Sequence, residues 1–255
     1  MNKTIQMLGL AALAMLAAKA SIAEEVVNAR FETTQCATPC TDASAKRLQW
    51  WLMREDDQVE IRHLYQNGQP AHNSSLWMKK PAGQFNYSFL MHEDGRTIDY
   101  SDVDLKLLAI KTDLNIWQVK SQLVTDEELG KLKKVALDMQ QQMEKQQQYG
   151  HDVEKYVGEL GNGVRTEVLW MPAVKLPYSV QYHYPEHTVT IQLQVLQTGA
   201  PAAGDAVIAP KASLATLSNY QHVDFTDLGD MEHNPSEMQW LTRAHGAPGL
   251  QAHNH

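Results

Sequence analysis

Two cysteines, Cys36 and Cys40, stand in the stretch CATPC and are the only cysteines in the chain. A pair this close can hold copper, exchange electrons, or close a small loop as a disulfide. A copper site needs further soft or imidazole ligands within reach. Haem attachment needs C-x-x-C-H, which is absent. The pair runs through TPCTDASAKRLQWW into a strand, whereas a redox pair of the thioredoxin kind opens a helix in a βαβ unit. In an oxidising compartment the simplest reading is a disulfide staple between Cys36 and Cys40. The other metal candidates are the terminal histidines His233, His245, His253 and His255, with Met231 and Met238 nearby. Imidazole and thioether suit copper, and imidazole suits zinc or nickel. The stretch HGAPGLQAHNH has no periodicity and reads as a mobile tail. No G-x-S-x-G, H-E-x-x-H, P-loop or G-x-G-x-x-G motif occurs, so no catalytic residue is assigned and no cofactor is expected. The acids Asp224, Asp227, Asp230 and Glu232 miss the Ca²⁺-loop spacing and read as a solvated turn.

The compartment follows from the first 23 residues. Lys3 precedes the apolar run Met7 to Ala18, and small residues Ser21 and Ala23 mark a cleavage point, the pattern of a secretory signal peptide. The run is too short to span a bilayer. Export to the periplasm, with the mature chain starting at Glu24, is the expectation. Removing residues 1–23 takes away two of the 22 basic residues and none of the 30 acidic ones, so the formal charge moves from -8 to -10. A nucleic acid is therefore not the expected partner.

Strands come first along the chain. Trp50 and Leu52 alternate with polar neighbours and return through Val59, Ile61, His63 and Tyr65, with REDD as a charged tip. Leu76 to Met78, then Phe85, Tyr87, Phe89 and Met91, then Thr97 to Tyr100 after Asp94-Gly95 extend a meander with one aromatic face. Helices follow from Ser101 or Asp102 through Leu105 to Ile110 and, after a break at Thr112 to Asn115, from Asn115 to Val124. A longer helix is predicted from Thr125, where Thr125 and Glu128 form a capping box. Its apolar stripe is Leu129, Leu132, Ala136, Met139 and Met143, at helical spacing. GELGNG, Gly158 to Gly163, reads as a turn closing the helical region. Strands resume at Val164 to Met171 and Tyr178 to Tyr184, and a YPEH turn leads to Val189, Ile191, Leu193 and Val195. Strands, helices, then strands without βαβ alternation point to an α+β fold on a mainly antiparallel sheet. The domain reading is a signal peptide at 1–23, one α+β domain at 24–197, a linker or long loop at 198–210, and a strand, turn and His-containing tail at 211–255.

That order, with VLWMPAVKLPYSVQYHYPEHTVTIQLQVLQTG from Val168 to Gly199, resembles the periplasmic lipoprotein carriers of the LolA and LolB type. The resemblance implies an incomplete, curved barrel closed by a helical lid over an apolar cavity. The candidate cavity residues are Trp50, Leu52, Phe85, Tyr87, Phe89, Trp170, Ile191 and Leu193 from the sheet, with Trp117, Leu132, Met139 and Met143 from the lid. The function expected is non-catalytic binding or carriage of an apolar small molecule, a lipid or an acylated protein, with transient contact to a membrane or an outer-membrane protein. Two alternatives stand beside it. One is a copper or zinc accessory protein using Cys36 and Cys40 or the terminal histidines, and the other is an interaction domain with a filled core.

Overall fold

The computed structural model describes residues 26–41, 44–81, 83–161, 163–199, 209–231, 239–244 and 246–250. The proposed signal peptide and cleavage point, most of the expected linker, and His233, His245, His253, His255 and Met238 lie outside these residues.

The fold is α+β, built on one open sheet. β1 (Val27–Ala37) opens the described chain, followed by β2 (Lys46–Glu55), β3 (Gln58–His63), β4 (Asn73–Lys79), β5 (Phe85–Met91) and β6 (Arg96–Tyr100). Three short helices come next: α1 (Asp102–Leu107), α2 (Leu114–Gln122) and α3 (Asp126–Lys131). An edge strand β7 (Lys133–Val135) and α4 (Met139–Tyr149) precede β8 (Glu154–Leu160), β9 (Val164–Met171), β10 (Leu176–His183) and β11 (His187–Thr198). The chain ends with α5 (Leu214–Leu217), β12 (Gln221–Asp224), a 3₁₀ turn and α6 (Leu228–Met231). The strand order is β12-β6-β5-β4-β3-β2-β1-β11-β10-β9-β8-β7, so the two ends of the sheet do not pair. Every pairing is antiparallel except β12 on β6.

Register decides which side chains meet. Phe31 sits opposite Trp50, Leu52 opposite Ile61, Val59 opposite Trp77, and Tyr87 opposite Trp77 and Tyr100. Side chains alternate across a strand, so these residues share one face, the inner face, with Val27 and Ala29. A register shift at Arg30/Phe31 keeps Leu193 and Ile191 on that face as β1 crosses to β11. The disulfide between Cys36 and Cys40 is formed, with Cα atoms 5.2 Å apart.

The sequence reading needs four corrections. The helix predicted from Thr125 stops at Lys131. Its capping box is present, but Leu132 is extended and Lys133–Val135 pairs with β8. Met139 and Met143 fall on the separate α4, 80% and 65% exposed, so they are not lid residues facing the sheet. GELGNG is the end of β8 and its turn into β9, not the close of a helical region. Arg54 is not part of the charged tip, because period two places it on the inner face after Trp50 and Leu52, and it is buried. Finally, the stretch HGAPGLQAHNH, read as a mobile tail, carries Ala247 in the main core, with Trp240 and Ala244 just before it.

Candidate functional site

The inner face carries ten of the twelve residues expected to line a cavity. Trp50, Leu52, Phe85, Tyr87, Phe89, Trp117 and Leu193 belong to one buried cluster. Leu132 and Trp170 belong to a second, with Val124, Val168 and Val180, and half-buried Ile191 touches both. Only Met139 and Met143 stand apart. Strand alternation explains the sheet members, and the helix signals explain Trp117. Asp113 caps α2 by accepting from the Ile116 amide, and α2 delivers Trp117 onto Phe85 with ring centroids 6.1 Å apart.

Three polar groups are built into this apolar face. Trp50 Nε1 donates to Thr33 Oγ1 at 2.9 Å, which satisfies the indole inside the core. Lys120 lies 5.3 Å from the Trp77 ring centroid, and burial lowers its pKa. Arg54 is the third and was missed by the sequence reading. Its Nη1 donates to the Ser121 carbonyl at 2.8 Å and its Nη2 to the Val174 carbonyl at 2.6 Å. One buried guanidinium thus ties the C-terminal end of α2, and hence the helical cover, to the β9–β10 turn across the sheet. The favourable end of the helix dipole for a cation is that same C-terminal end. An Arg at period two from Trp50 and Leu52 is the signal that could have found it.

The open part of the inner face is a cleft of about 350 Å³ bounded by Ile61, His63, Tyr65, Ser75, Tyr87, Phe89 and Gly246. Two of the expected cavity residues, Tyr87 and Phe89, line it. Burial raises the pKa of the Tyr87 hydroxyl well above its ordinary value, so that wall stays uncharged.

The outer face is different. A larger groove, about 770 Å³, runs over Leu76, Met78 and Leu90 towards β12. Asp99 accepts there from Ser88 at 2.5 Å and pairs with His222 at 2.7 Å, and the aspartate raises the His222 pKa. Tyr87 is the one expected cavity residue at its border.

Further along this face buried Glu60 and Ser74 continue through half-buried His92 to half-buried Tyr220 as one hydrogen-bonded chain. Ser74 Oγ donates to Glu60 at 2.7 Å and lies 2.8 Å from His92 Nε2, and His92 Nδ1 lies 3.1 Å from Tyr220 OH. With the Ser74 O–H directed at the Glu60 carboxylate, neutral His92 donates its Nε2–H to Ser74 Oγ and its Nδ1 accepts from Tyr220 OH. This polarity is opposite to that of a serine nucleophile, whose proton must face the imidazole. Burial lowers the His92 pKa to about 4, helped by Arg62, and burial raises that of Glu60. The Ala212 amide donates to Glu60, and Arg62 Nη1 donates to the Pro210 carbonyl. The chain therefore fastens residues 209–220 across the sheet.

Among the described residues no group of three or more His, Cys, Asp or Glu side chains is placed to hold a metal ion. Both cysteine sulfurs are committed to each other, which removes the thiolate ligands from the copper reading. No described helix is long and apolar enough to cross a membrane.

No family model and no curated protein matches the chain. Solved structures do. A LolA superfamily protein from Nitrosomonas europaea aligns at 6% identity and a TM-score of 0.29, covering 71% of this chain and 88% of that one. An outer membrane lipoprotein-sorting protein domain from Vibrio parahaemolyticus aligns at 10% identity and a TM-score of 0.31, with the same coverage of each. The MucA/MucB complex of Pseudomonas aeruginosa aligns at 14% identity and a TM-score of 0.30, covering 71% of this chain and 54% of that one. The likeness is one of fold alone. Strands, a helical insertion and returning strands on an open antiparallel sheet are what this chain itself displays.

Proposed function

We propose that this protein is an exported, non-catalytic carrier whose inner sheet face receives an apolar molecule, a lipid or an acyl chain on another protein. The supporting observation is the inner face itself. Aromatic and aliphatic side chains run across it from β6 to β9, and a buried arginine ties the helical cover to the β9–β10 turn. Apolar pockets with a few placed polar groups are the usual form of small-molecule sites. The periplasm is the proposed compartment, on the signal-peptide pattern and the Cys36–Cys40 disulfide. An acylated cargo would bring transient contact with a membrane or an outer-membrane protein.

The test is binding of a lauroyl-bearing peptide, followed by tryptophan fluorescence with the non-acylated peptide as control. Saturable binding that requires the acyl chain supports carriage. Equal failure of both peptides leaves the filled-core interaction domain as the reading, a reading that the close packing of Phe31, Leu52, Phe85 and Tyr100 favours.

A further inference from the structure

Residues 239–244 and 246–250 lie on the inner face without being part of the sheet. Trp240 is 4% exposed, and Ala244 and Ala247 are equally buried within the main cluster. Pro248 accepts from Tyr100 OH at 2.8 Å, the Arg243 carbonyl accepts from Asn73 Nδ2 at 3.2 Å, and Trp240 lies 4.9 Å from the Arg96 guanidinium. Tyr100, Asn73 and Arg96 share the inner face with Ile98, Ser75 and Trp77 by strand alternation. The seat is a fitted one. Gly249 has φ +78°, and a Cβ there would lie 2.9 Å from Leu108 and from Phe225.

The attachments are nevertheless of a kind that can be exchanged. Among the described residues, the backbone bonds of this stretch are local turns, such as Arg243 N to the Trp240 carbonyl and Ala247 N to the Ala244 carbonyl, and none joins a strand ladder. Its ion pair, Arg243 with Asp94, sits at the rim with Arg243 largely exposed, where such pairs contribute little. Beside the two side-chain hydrogen bonds and the Arg96 contact, much of the hold is apolar burial of Trp240, Ala244 and Ala247, the part that an alkyl chain can replace. The 350 Å³ cleft adjoins the segment at Gly246. That volume is at the small end for ligand sites, and withdrawal of the segment would enlarge it over Tyr87, Phe89 and Tyr100.

We propose that residues 239–244 and 246–250 form an internal plug, occupying the cargo surface of the empty protein and leaving it when apolar cargo binds. This rests on the carrier reading and adds its regulation: apparent affinity is set by the fraction of molecules with the plug out. The experiment titrates the full-length protein with N-phenyl-1-naphthylamine, comparing wild type, Trp240→Ala and Asp94→Asn. Trp240→Ala removes the plug's largest anchor, and Asp94→Asn removes only the rim pair. Trp240→Ala should bind the probe roughly ten-fold tighter and Asp94→Asn a few-fold tighter, following the plugged fraction. In wild type, probe binding should raise amide exchange across 240–250. If wild type binds the probe, neither variant binds it more tightly and exchange at 240–250 is unchanged, the segment is permanent core and the plug is refuted while carriage stands. If no version binds, carriage falls and the plug with it. Should near-ultraviolet dichroism show Trp240→Ala to be unfolded, the same comparison on Asp94→Asn decides.

Discussion

The two halves of the sheet use the same strand alternation and reach different degrees of enclosure. From β12 to β1 the inner face is covered by α1, α2 and residues 223–231, 239–244 and 246–250, and β5 is buried at six of its seven positions. Its outer face is crossed by residues 209–220, fastened through Glu60, Ser74 and His92. From β11 to β7 the cover is thinner. α3 and Leu132 pack on Val168, Trp170 and Val180, and β8 and β11 are half-buried along most of their length. The difference teaches that equal strand alternation does not give equal burial: the first half is the more deeply covered, and its inner-face cleft lies where Gly246 meets β3–β5. Covering comes from segments far along the chain and not from the strands themselves.

The comparison breaks first on core truncation. Phe85→Ala should cost about 3–5 kcal/mol and Leu132→Ala about 2 kcal/mol, because the thinner side can collapse around the missing atoms. Equal costs in urea unfolding would mean that both halves are one equally packed core. The next largest effect concerns the tie between the halves. Arg54→Leu leaves the Ser121 and Val174 carbonyls without its hydrogen bonds and should cost about 1–3 kcal/mol. The loss should be local, with amide exchange rising in 114–125 and 172–176 before it rises in β2–β5. Uniform deprotection would make Arg54 a core residue and not a fastening of the cover.

A smaller effect tests the outer strap. His92 has its pKa lowered to about 4 by burial, so the neutral form belongs to the folded state. Its contribution is whole above its ordinary value near 6.5 and is lost as pH falls towards 4. Between pH 7 and pH 5.5 the loss should be about 1 kcal/mol. His92→Gln should flatten that part of the stability profile, and an unchanged slope would place the titration elsewhere. The smallest effect belongs to α4. Met139→Ser and Met143→Ser should change stability and probe binding by less than about 0.5 kcal/mol, since both side chains are exposed. A larger loss of binding would restore these methionines to the site.

Much of the sheet was legible because period-two alternation is a local signal. Trp50–Leu52, Val59–Ile61, Phe85–Met91 and Ile191–Leu193 declared their face, and Thr125 declared a helix start through its capping box. β1 and β8 carry the same alternation in Val27, Ala29, Phe31 and in Tyr156, Gly158, Leu160, and were passed over beside the cysteines and the glycines. The failed stripe is more instructive. Leu129, Leu132, Ala136, Met139 and Met143 keep helical spacing, yet Lys133–Val135 takes the open edge of β8. Whether a short stretch continues a helix or pairs with an edge depends on a partner more than twenty residues away, and no local pattern carries that.

The sequence by itself determined the α+β class, the strands-helices-strands layout, the Cys36–Cys40 staple, and ten of the twelve residues gathered on one apolar face. These follow from side-chain periodicity, capping and proximity along the chain, all of which act over a few residues. Only the tertiary structure decided that Arg54 points inward to bind two distant carbonyls, that Glu60, Ser74 and His92 hold residues 209–220, and that Trp240 and its neighbours lie on the inner face. Each of those is a contact across 67 to 152 positions or an apolar burial with no periodic signature. Folding selects such contacts by the space and unsatisfied groups left once the sheet is formed, and that residue of space is not written in any single segment.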